Sequence, residues 1–599
     1  MSWGEQMGGA RSGRIAAVWQ TCDFVKRLVR GRKVRAAILG IAVLSLSAAA
    51  TLEANAQSSV QPGTTQREFE KGPKAPRPSK TVTVPSLDTQ AAPSDAENVK
   101  FVLKSIDIDG NTVLGDEALA RPFTSMIGQN VSLAQIYAGA NEITRMYANA
   151  GYALSLAFVP AQEVKDGNVR IRVVEGYIGE VEFQDERSFH SKLWSGFASR
   201  LKASRPLKTA DLERYLLLAN DLAGIQVKSV FERMEGDPGA TKLVMMIERK
   251  LFDVGIEVNN RGSKAIGPVR VQGKLAVNGG LGAEERFSIF GVRVPDGEEL
   301  SYLAWRFDVP LSSDGLAFGF DIARSHSKVG TDPFSSINFQ TDGWTGNAGF
   351  TYPVIRSRSH NLYASLSVDY KDLTSEVGDP AVTNSHDTMT VIVAGVDYDT
   401  HDRWGGLLQA AATLHVGLDV FDATQSDDPF SSRDGASGEF LRLEGTASRL
   451  QSFRPWLHLY TQIDAQIADG ALLVSEQCGY GGSSIGRGFD AFELAGDHCL
   501  KGLAELRYDV PLGRIGMARL LDSAQVYGLA DFGLVFKSGD LTPGEERSQG
   551  AASLGLGMRM RALDYLSGLV EVDQPLGEGI ALDGKSTDPR FYFGLSLDY

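Results

Sequence analysis

A chain of 599 residues with 43% hydrophobic content is long enough for several domains, and a formal net charge of −14 excludes a dedicated nucleic-acid binder, which needs a basic face for phosphate. The zinc-protease string His-Glu-x-x-His does not occur among its eight histidines, and neither metal nor cofactor is expected. Beyond the amino terminus no stretch reaches the ~20 uncharged apolar residues of a spanning helix, so the chain is either soluble in an exported compartment or crosses a membrane as strands.

At the start, Lys26, Arg27, Arg30, Arg32, Lys33 and Arg35 precede an apolar run from Ala36 to Ala50, and Ala54-Asn55-Ala56 supplies a small-residue cleavage pattern. Residues 1–56 therefore read as a secretory signal peptide cut after Ala56, and its loss makes the mature chain more acidic still. Residues 57–100 carry Pro62, Pro73, Pro76, Pro78, Pro85 and Pro93 among Ser, Thr, Gln and Lys, which is the composition of a linker. They show no apolar stripe, so an internal plug helix is not legible there.

From Phe101 the texture becomes a compact alternation. A strand through Val102, Ile106 and Ile108 is followed by helices expected over Asp116–Ile127 and Ser132–Ala150, then strands over Leu154–Pro160 and Asn168–Glu175. Leu133, Ile136, Ala140, Ile143 and Tyr147 recur at helical spacing, with Ser132 as N-cap and Gly151 as stop. This β-α-α-β-β order, with Gly151-Tyr152, Asp166-Gly167 and Val174-Glu175-Gly176, resembles a POTRA domain over 101–176. A second, weaker copy over 177–250 places strands at Ile178–Phe183, Gln226–Arg233 and Lys242–Arg249 and helices at Ser191–Leu201 and Thr209–Ala223. Exposed strand edges in such units can accept an extended peptide by main-chain pairing.

From 251 to 599 the period is two. Phe252, Val254, Ile256 and Val258 alternate with polar residues, as do Leu362, Ala364, Leu366 and Val368, with turn signals at Asn278-Gly279-Gly280 and Ser313-Asp314-Gly315. One face of each strand is apolar and the other polar. Within this region Gly481 to Phe489 is glycine-rich, and Arg487 stands between Gly486 and Gly488 with Phe489 behind it, where a tight backbone lets the guanidinium reach a buried carboxylate. Cys478 and Cys499 flank this loop at 478–499 and read as a disulfide across its base in an oxidising compartment, the alternative being two reduced, half-buried thiols. Ser553, Gly555 and Gly557 fit a strand facing a crowded interior. The chain ends on alternating Phe591, Phe593, Leu595, Leu597 and Tyr599.

The Gly-Arg-Gly-Phe loop followed by Glu505-Leu506-Arg507-Tyr508 resembles the reentrant loop of two-partner secretion transporters, the TpsB family of ShlB, FhaC and HecB-like hemolysin secretion/activation proteins. Tyr592, Gly594, Leu597 and Tyr599 resemble the carboxy-terminal insertion signal of bacterial outer-membrane barrels. The resemblance implies a transmembrane β-barrel of about 16 antiparallel strands preceded by two periplasmic α+β POTRA domains. It further implies a monomer in outer-membrane lipid, inserted by the barrel-assembly machinery, that recognises a large unfolded exoprotein and threads it outward without ATP. In that family the loop arginine pairs with an acid in an aromatic-Gly-x-x-Asp-aromatic-Gly strand. Here Tyr527-Gly528-Leu529-Ala530-Asp531-Phe532-Gly533 makes Asp531 the implied partner of Arg487. One departure is Gly486, where family members often carry Val, and the extra glycine is expected to loosen the tip.

Two enzyme-like strings fail on context. Gly579 to Ser586 spells a phosphate loop but is followed by Pro589 and a strand rather than a helix, and Gly482-Ser483-Ser484-Ile485-Gly486 spells a nucleophile elbow without a helix after it. His498 beside Asp497 reads as a solvated turn. The expectation is gating and transport, not catalysis. The competing readings are a barrel-assembly factor of the same superfamily, disfavoured by only two POTRA units, and a passive porin, which needs no periplasmic domains.

Overall fold

The computed structural model describes residues 63–69, 90–185, 192–295, 299–331, 334–514, 516–541, 545–576 and 587–599. The signal peptide expected at 1–56, most of the 57–100 segment and the phosphate-loop-like string at 579–586 lie outside these residues. No helix among the described residues is long and apolar enough to cross a membrane.

Two α+β units come first. In one, strands Ser105–Asp109, Asn168–Val174 and Leu156–Phe158 form a sheet in that order, the first pair parallel. Ile136, Ala140, Ile143 and Tyr147 of helix Leu133–Asn149 pack on Val169, Ile171 and Val173, so a stripe of period 3.6 meets one of period 2. The helix opens with a capping box between Ser132 and Gln135 and stops where Gly151 takes φ +89°. The single helix expected over Asp116–Ile127 is instead Asp116–Ala120 continued by a 3-10 turn, Arg121–Met126. Pro122 has no N–H to donate four residues back, which explains the change of pitch.

The other unit repeats the order, with strand Tyr177–Asp185, helices Lys192–Ala203 and Thr209–Asp221, and strands Ile225–Arg233 and Ala240–Arg249. Trp194, Phe197, Leu216 and Leu243 lie at its core. It is fastened to the sheet that follows: Trp194 Nε1 donates to Glu284 at 2.7 Å, Arg249 pairs with Asp185 and Glu284, and Arg356 reaches Asp221 at 2.7 Å.

From Phe252 onward, sixteen antiparallel strands among the described residues close into a barrel, the last, Arg590–Asp598, pairing with the first, Phe252–Asn259. At the proximal end, next to the α+β units, connections such as 402–405 and 455–456 are short, while distal ones such as 419–440 and 469–497 are long. Alternation assigns the faces: Tyr527, Leu529, Asp531 and Val535 are buried inward, whereas Val526, Phe532, Leu534 and Phe536 are exposed outward. In the terminal strand Phe591, Leu595 and Leu597 face outward, Tyr592 turns inward beneath Arg261, and Tyr599 exchanges main-chain bonds with Val254 to complete closure.

Candidate functional site

The connection between strands Leu457–Ala468 and His498–Asp509 does not stay outside. It folds into the barrel, where Cys478–Tyr480 and Leu494–Gly496 pair as a small hairpin, and Tyr480, Ile485 and Phe489 join Leu503, Tyr527 and Leu529 of the wall in one buried cluster. The structure joins Cys478 to Cys499, with Cα atoms 6.3 Å apart, and so ties the loop base to a wall strand. At the tip Gly481, Gly482 and Gly486 take φ of +117°, +99° and +89°. A Cβ on Gly486 would lie 2.5 Å from the Gly481 nitrogen. The looseness expected of Gly486 is therefore corrected, since this glycine permits a close main-chain contact that makes the tip compact.

Arg487 and Asp531 are brought together, but not by the expected pairing. The Arg487 main-chain N–H donates to Asp531 Oδ2 at 3.1 Å, while Asp531 Oδ1 accepts from the Tyr480 hydroxyl at 2.7 Å and the Ser553 hydroxyl at 2.6 Å. The guanidinium points elsewhere: its Nη1 lies 3.0 Å from both Glu505 Oε2 and Glu571 Oε2. The reason is steric. Gly488 sits against the wall, its N–H donating to Ser553 Oγ at 3.1 Å and its Cα side facing Ser553 and Pro575, so the backbone occupies the space above Asp531 and the side chain must pass to the flanking strands. Glu505 also holds Arg507 and Arg559, and Glu571 holds Arg261 and accepts from Tyr527. The small residues of the neighbouring strand make this possible, because a Cβ on Gly557 would meet the Tyr527 ring at 2.3 Å.

Three further groups were not legible in the sequence. Helix Thr64–Phe69 stands in the lumen: Arg67 reaches Glu444 at 2.9 Å and the Gln477 carbonyl, Glu68 pairs with Arg270 at 2.8 Å, and Phe69 packs on Tyr302 with ring centroids 5.0 Å apart. Glu476, at the loop base, is buried between Lys371 and Arg442 at 2.9 and 3.0 Å. Asp497 is fully buried; it holds Arg433 from the distal connection 419–440 and accepts the N–H groups of Leu472 and Ser538. Its neighbour His498 contacts Ser538 Oγ at 2.8 Å. None of these residues lies in a recurring pattern, and only the acidity of the loop base hints at them. Below the tip remains a cavity of about 1020 Å³ touching Glu68, Phe69, Arg261, Arg270, Ser483 and Arg487. The loop is thus held in the lumen by charge pairs on Arg487 and Glu476 together with the buried apolar cluster around Tyr480, Ile485 and Phe489.

Comparison with known proteins agrees. Residues 101–176 match the ShlB-type POTRA domain, and residues 242–560 match the haemolysin secretion/activation protein ShlB/FhaC/HecB family. The heme/hemopexin transporter protein HuxB of Haemophilus influenzae is 25% identical over 500 residues, covering 81% of this chain and 85% of that protein. The outer membrane transporter CdiB of Dickeya dadantii is 22% identical over 451 residues, 73% of this chain and 79% of its own. Among solved structures, CdiB from Escherichia coli superposes with a TM-score of 0.65 at 18% identity over 87% of this chain and 94% of that one. BamA from Haemophilus ducreyi gives 0.51 at 12% identity over 83% of this chain and 100% of the other, a likeness of fold alone.

Proposed function

The chain belongs to the ShlB/FhaC/HecB family of haemolysin secretion/activation proteins, and we propose that its reentrant loop is the gate through which one large partner protein leaves the cell. The barrel lies in the outer membrane, the α+β units face the periplasm, and the protein is a transporter of two-partner secretion. The proximal end is then periplasmic and the distal end extracellular.

The observation that carries the gating role is that Arg487, on a loop filling the lumen, is clamped by carboxylates from two separate wall strands. Charged partners with water nearby can be exchanged for others, whereas a packed apolar plug could leave only by exposing its surface. The client is a hemolysin- or adhesin-like exoprotein, bound unfolded by the POTRA units and threaded without ATP, with its folding outside giving direction. The transporter works as a monomer, inserted by the barrel-assembly machinery through its Tyr592 to Tyr599 strand, and catalyses no reaction. A resting passive porin does not suit a lumen closed by the loop and helix Thr64–Phe69.

The test compares the culture medium of cells with and without this chain by mass spectrometry. One very large protein should vanish from the medium and appear in the periplasm when the chain is removed. An unchanged set of secreted proteins would sink the reading.

A further inference from the structure

The pleat that turns Glu505, Asp531, Ser553 and Glu571 into the lumen turns their neighbours outward. Along the ladder Leu506 stands opposite Gly528, Gly528 opposite Leu556, and Leu556 opposite Val572, while in the next row Ala504 stands opposite Ala530. The floor of these rows is made by Ala504, Gly528 and Ala530. Leu506, Leu556 and Val572, exposed by 50%, 69% and 46%, rise around it. The result is an apolar groove of about 660 Å³ whose one polar lining residue is Gln574. That volume falls within the ~300–1,000 Å³ of ordinary small-molecule sites, and a surface this apolar at membrane depth excludes water.

Its proximal end starts at the cross-strand pair Leu459–Leu506, one step above Leu457–Tyr508. There Trp456 and Tyr508 form an edge-to-face pair with centroids 5.6 Å apart, and the turn that carries Trp456 also exposes Phe453 and Arg454. Exposed aromatic rings at a barrel rim mark the headgroup level, and a guanidinium beside them suits a phosphate. Because this rim faces the periplasm, the nearest headgroups are those of inner-leaflet phospholipids.

We infer that this groove binds one inner-leaflet phospholipid, with an acyl chain over Ala504, Gly528 and Ala530 and its phosphate at the Arg454 turn. The inference rests on the outer-membrane placement of the barrel and not on which client is exported. A seated chain would support from behind the strands that carry Glu505 and Asp531, and so back the wall that receives the reentrant tip.

The test uses the full chain reconstituted in phosphatidylethanolamine and phosphatidylglycerol vesicles doped with phosphatidylethanolamine carrying a mid-chain diazirine. After irradiation, labelled residues are mapped by mass spectrometry, and heat-modifiable gel mobility checks that the barrel is folded. Label on Leu506, Leu554 and Leu556 should exceed by several-fold that on Leu366, which is 55% exposed on the far wall. The double variant Gly528→Leu/Ala530→Leu should bring it down to that background. A side chain at Gly528 is tolerable, since its Cβ would meet first the flexible Leu556 side chain at 3.3 Å. Arg454→Ala should lower the label without changing its position. Even labelling of all outward leucines in the wild-type protein, or undiminished label in a folded filled variant, would overturn the site. Labelling here by diazirine-bearing lipid A but not by the phospholipid would overturn the inner-leaflet assignment. Loss of client export with the labelling pattern intact would bear on the gate alone.

Discussion

Substituting Arg487 and Asp531 singly and together distinguishes a side-chain pair from the arrangement found. In Arg487→Ala the carboxylates of Glu505 and Glu571, both essentially unexposed, lose a shared cation at 3.0 Å. Orphaning a buried charge costs roughly 3–5 kcal/mol, but Glu505 keeps Arg507 and Arg559 and Glu571 keeps Arg261, so about 2 kcal/mol is expected. In Asp531→Ala two hydroxyls and one main-chain N–H lose their acceptor, each worth about 1–3 kcal/mol and not additive, so about 3 kcal/mol is expected. At about 1.4 kcal/mol per factor of ten, the open-to-closed ratio in planar bilayers should rise roughly thirtyfold for Arg487→Ala and over a hundredfold for Asp531→Ala. The double-mutant cycle should show little coupling between these two side chains, within about 0.5 kcal/mol, but about 1–2 kcal/mol between Arg487→Ala and Glu571→Ala. Exchanging the charges, Arg487→Asp with Asp531→Arg, should not restore closure. Recovery of wild-type conductance and client export by that exchange would refute the assignment.

Arg433→Ala should leave the barrel inserted and raise conductance, because Asp497 loses its cation while keeping its main-chain donors; an unchanged trace would show that the Arg433–Asp497 pair does not hold the loop in place. Arg67→Ala should increase the frequency of brief openings, read in the same bilayers, since it severs helix Thr64–Phe69 from Glu444 and the Gln477 carbonyl together. Non-reducing mass spectrometry should find Cys478 and Cys499 linked, and Cys478→Ser with Cys499→Ser should raise protease cutting of the tip, on the ~3 kcal/mol expected for closing a loop of this length. In the first POTRA unit burial raises the pKa of Glu175, but hydrogen bonds from Thr112, Tyr147 and Val113 outweigh it and hold the carboxyl below its usual range. Its stabilising contribution is then complete above the unfolded value of ~4.3 and lost as pH falls through the folded one. Hydrogen exchange of the full chain over residues 105–174 should accelerate in that acidic window, and Glu175→Gln should flatten the dependence.

Period and punctuation carried most of the architecture into the sequence. Helix Leu133–Asn149 was legible to within a residue because Ser132 and Gly151 set its ends by local chemistry, to which the structure adds the Gln135 half of a capping box. Closure of the barrel was legible less directly, because alternation specifies a sheet face and not its partner; the terminal aromatic strand and the family resemblance supplied the rest. The partner of Arg487 was misplaced for a physical reason. A motif places residues near one another, but whether an acid meets the guanidinium or the amide depends on which way the backbone turns at Gly486 and Gly488, and that is fixed by contacts with Gly481, Ser553 and Pro575, distant in sequence. Asp497 and helix Thr64–Phe69 were invisible because what holds them is a handful of contacts with residues distant in sequence, which leave no period.

The arrangement of these tethers limits how the gate can move. Cys499 belongs to a wall strand and holds Cys478, while Glu476 is gripped by Lys371 and Arg442, so the loop base is anchored on two walls. Asp497 fastens the other leg to Leu472 and Ser538. Between Cys478 and Asp497, by contrast, the holds include the hydrogen bonds and ion pairs of Arg487, Gly488 and Asp490, the last with Arg590, the bonds of Tyr480 to Asp531 and of Lys501 to the Gly479 carbonyl, and the buried faces of Tyr480 and Phe489. On the proposed gating role, opening would therefore swing the tip about a fixed base instead of extruding the whole loop. Arg67 touches the Gln477 carbonyl at the loop base and lies over the Phe492 ring on the returning leg, whereas Arg487 is held by Glu505 and Glu571, so the helix and the tip have separate ion pairs but share a contact through Phe492. The open cavity is bounded by Glu68 and Phe69 and equally by Ser483 and Arg487, so a client entering it from the periplasm would meet the helix and the tip together. On the proposed gating role, such a chain would part Glu68 from Arg270 and Arg487 from Glu505 and Glu571, two sets of ion pairs that share no residue.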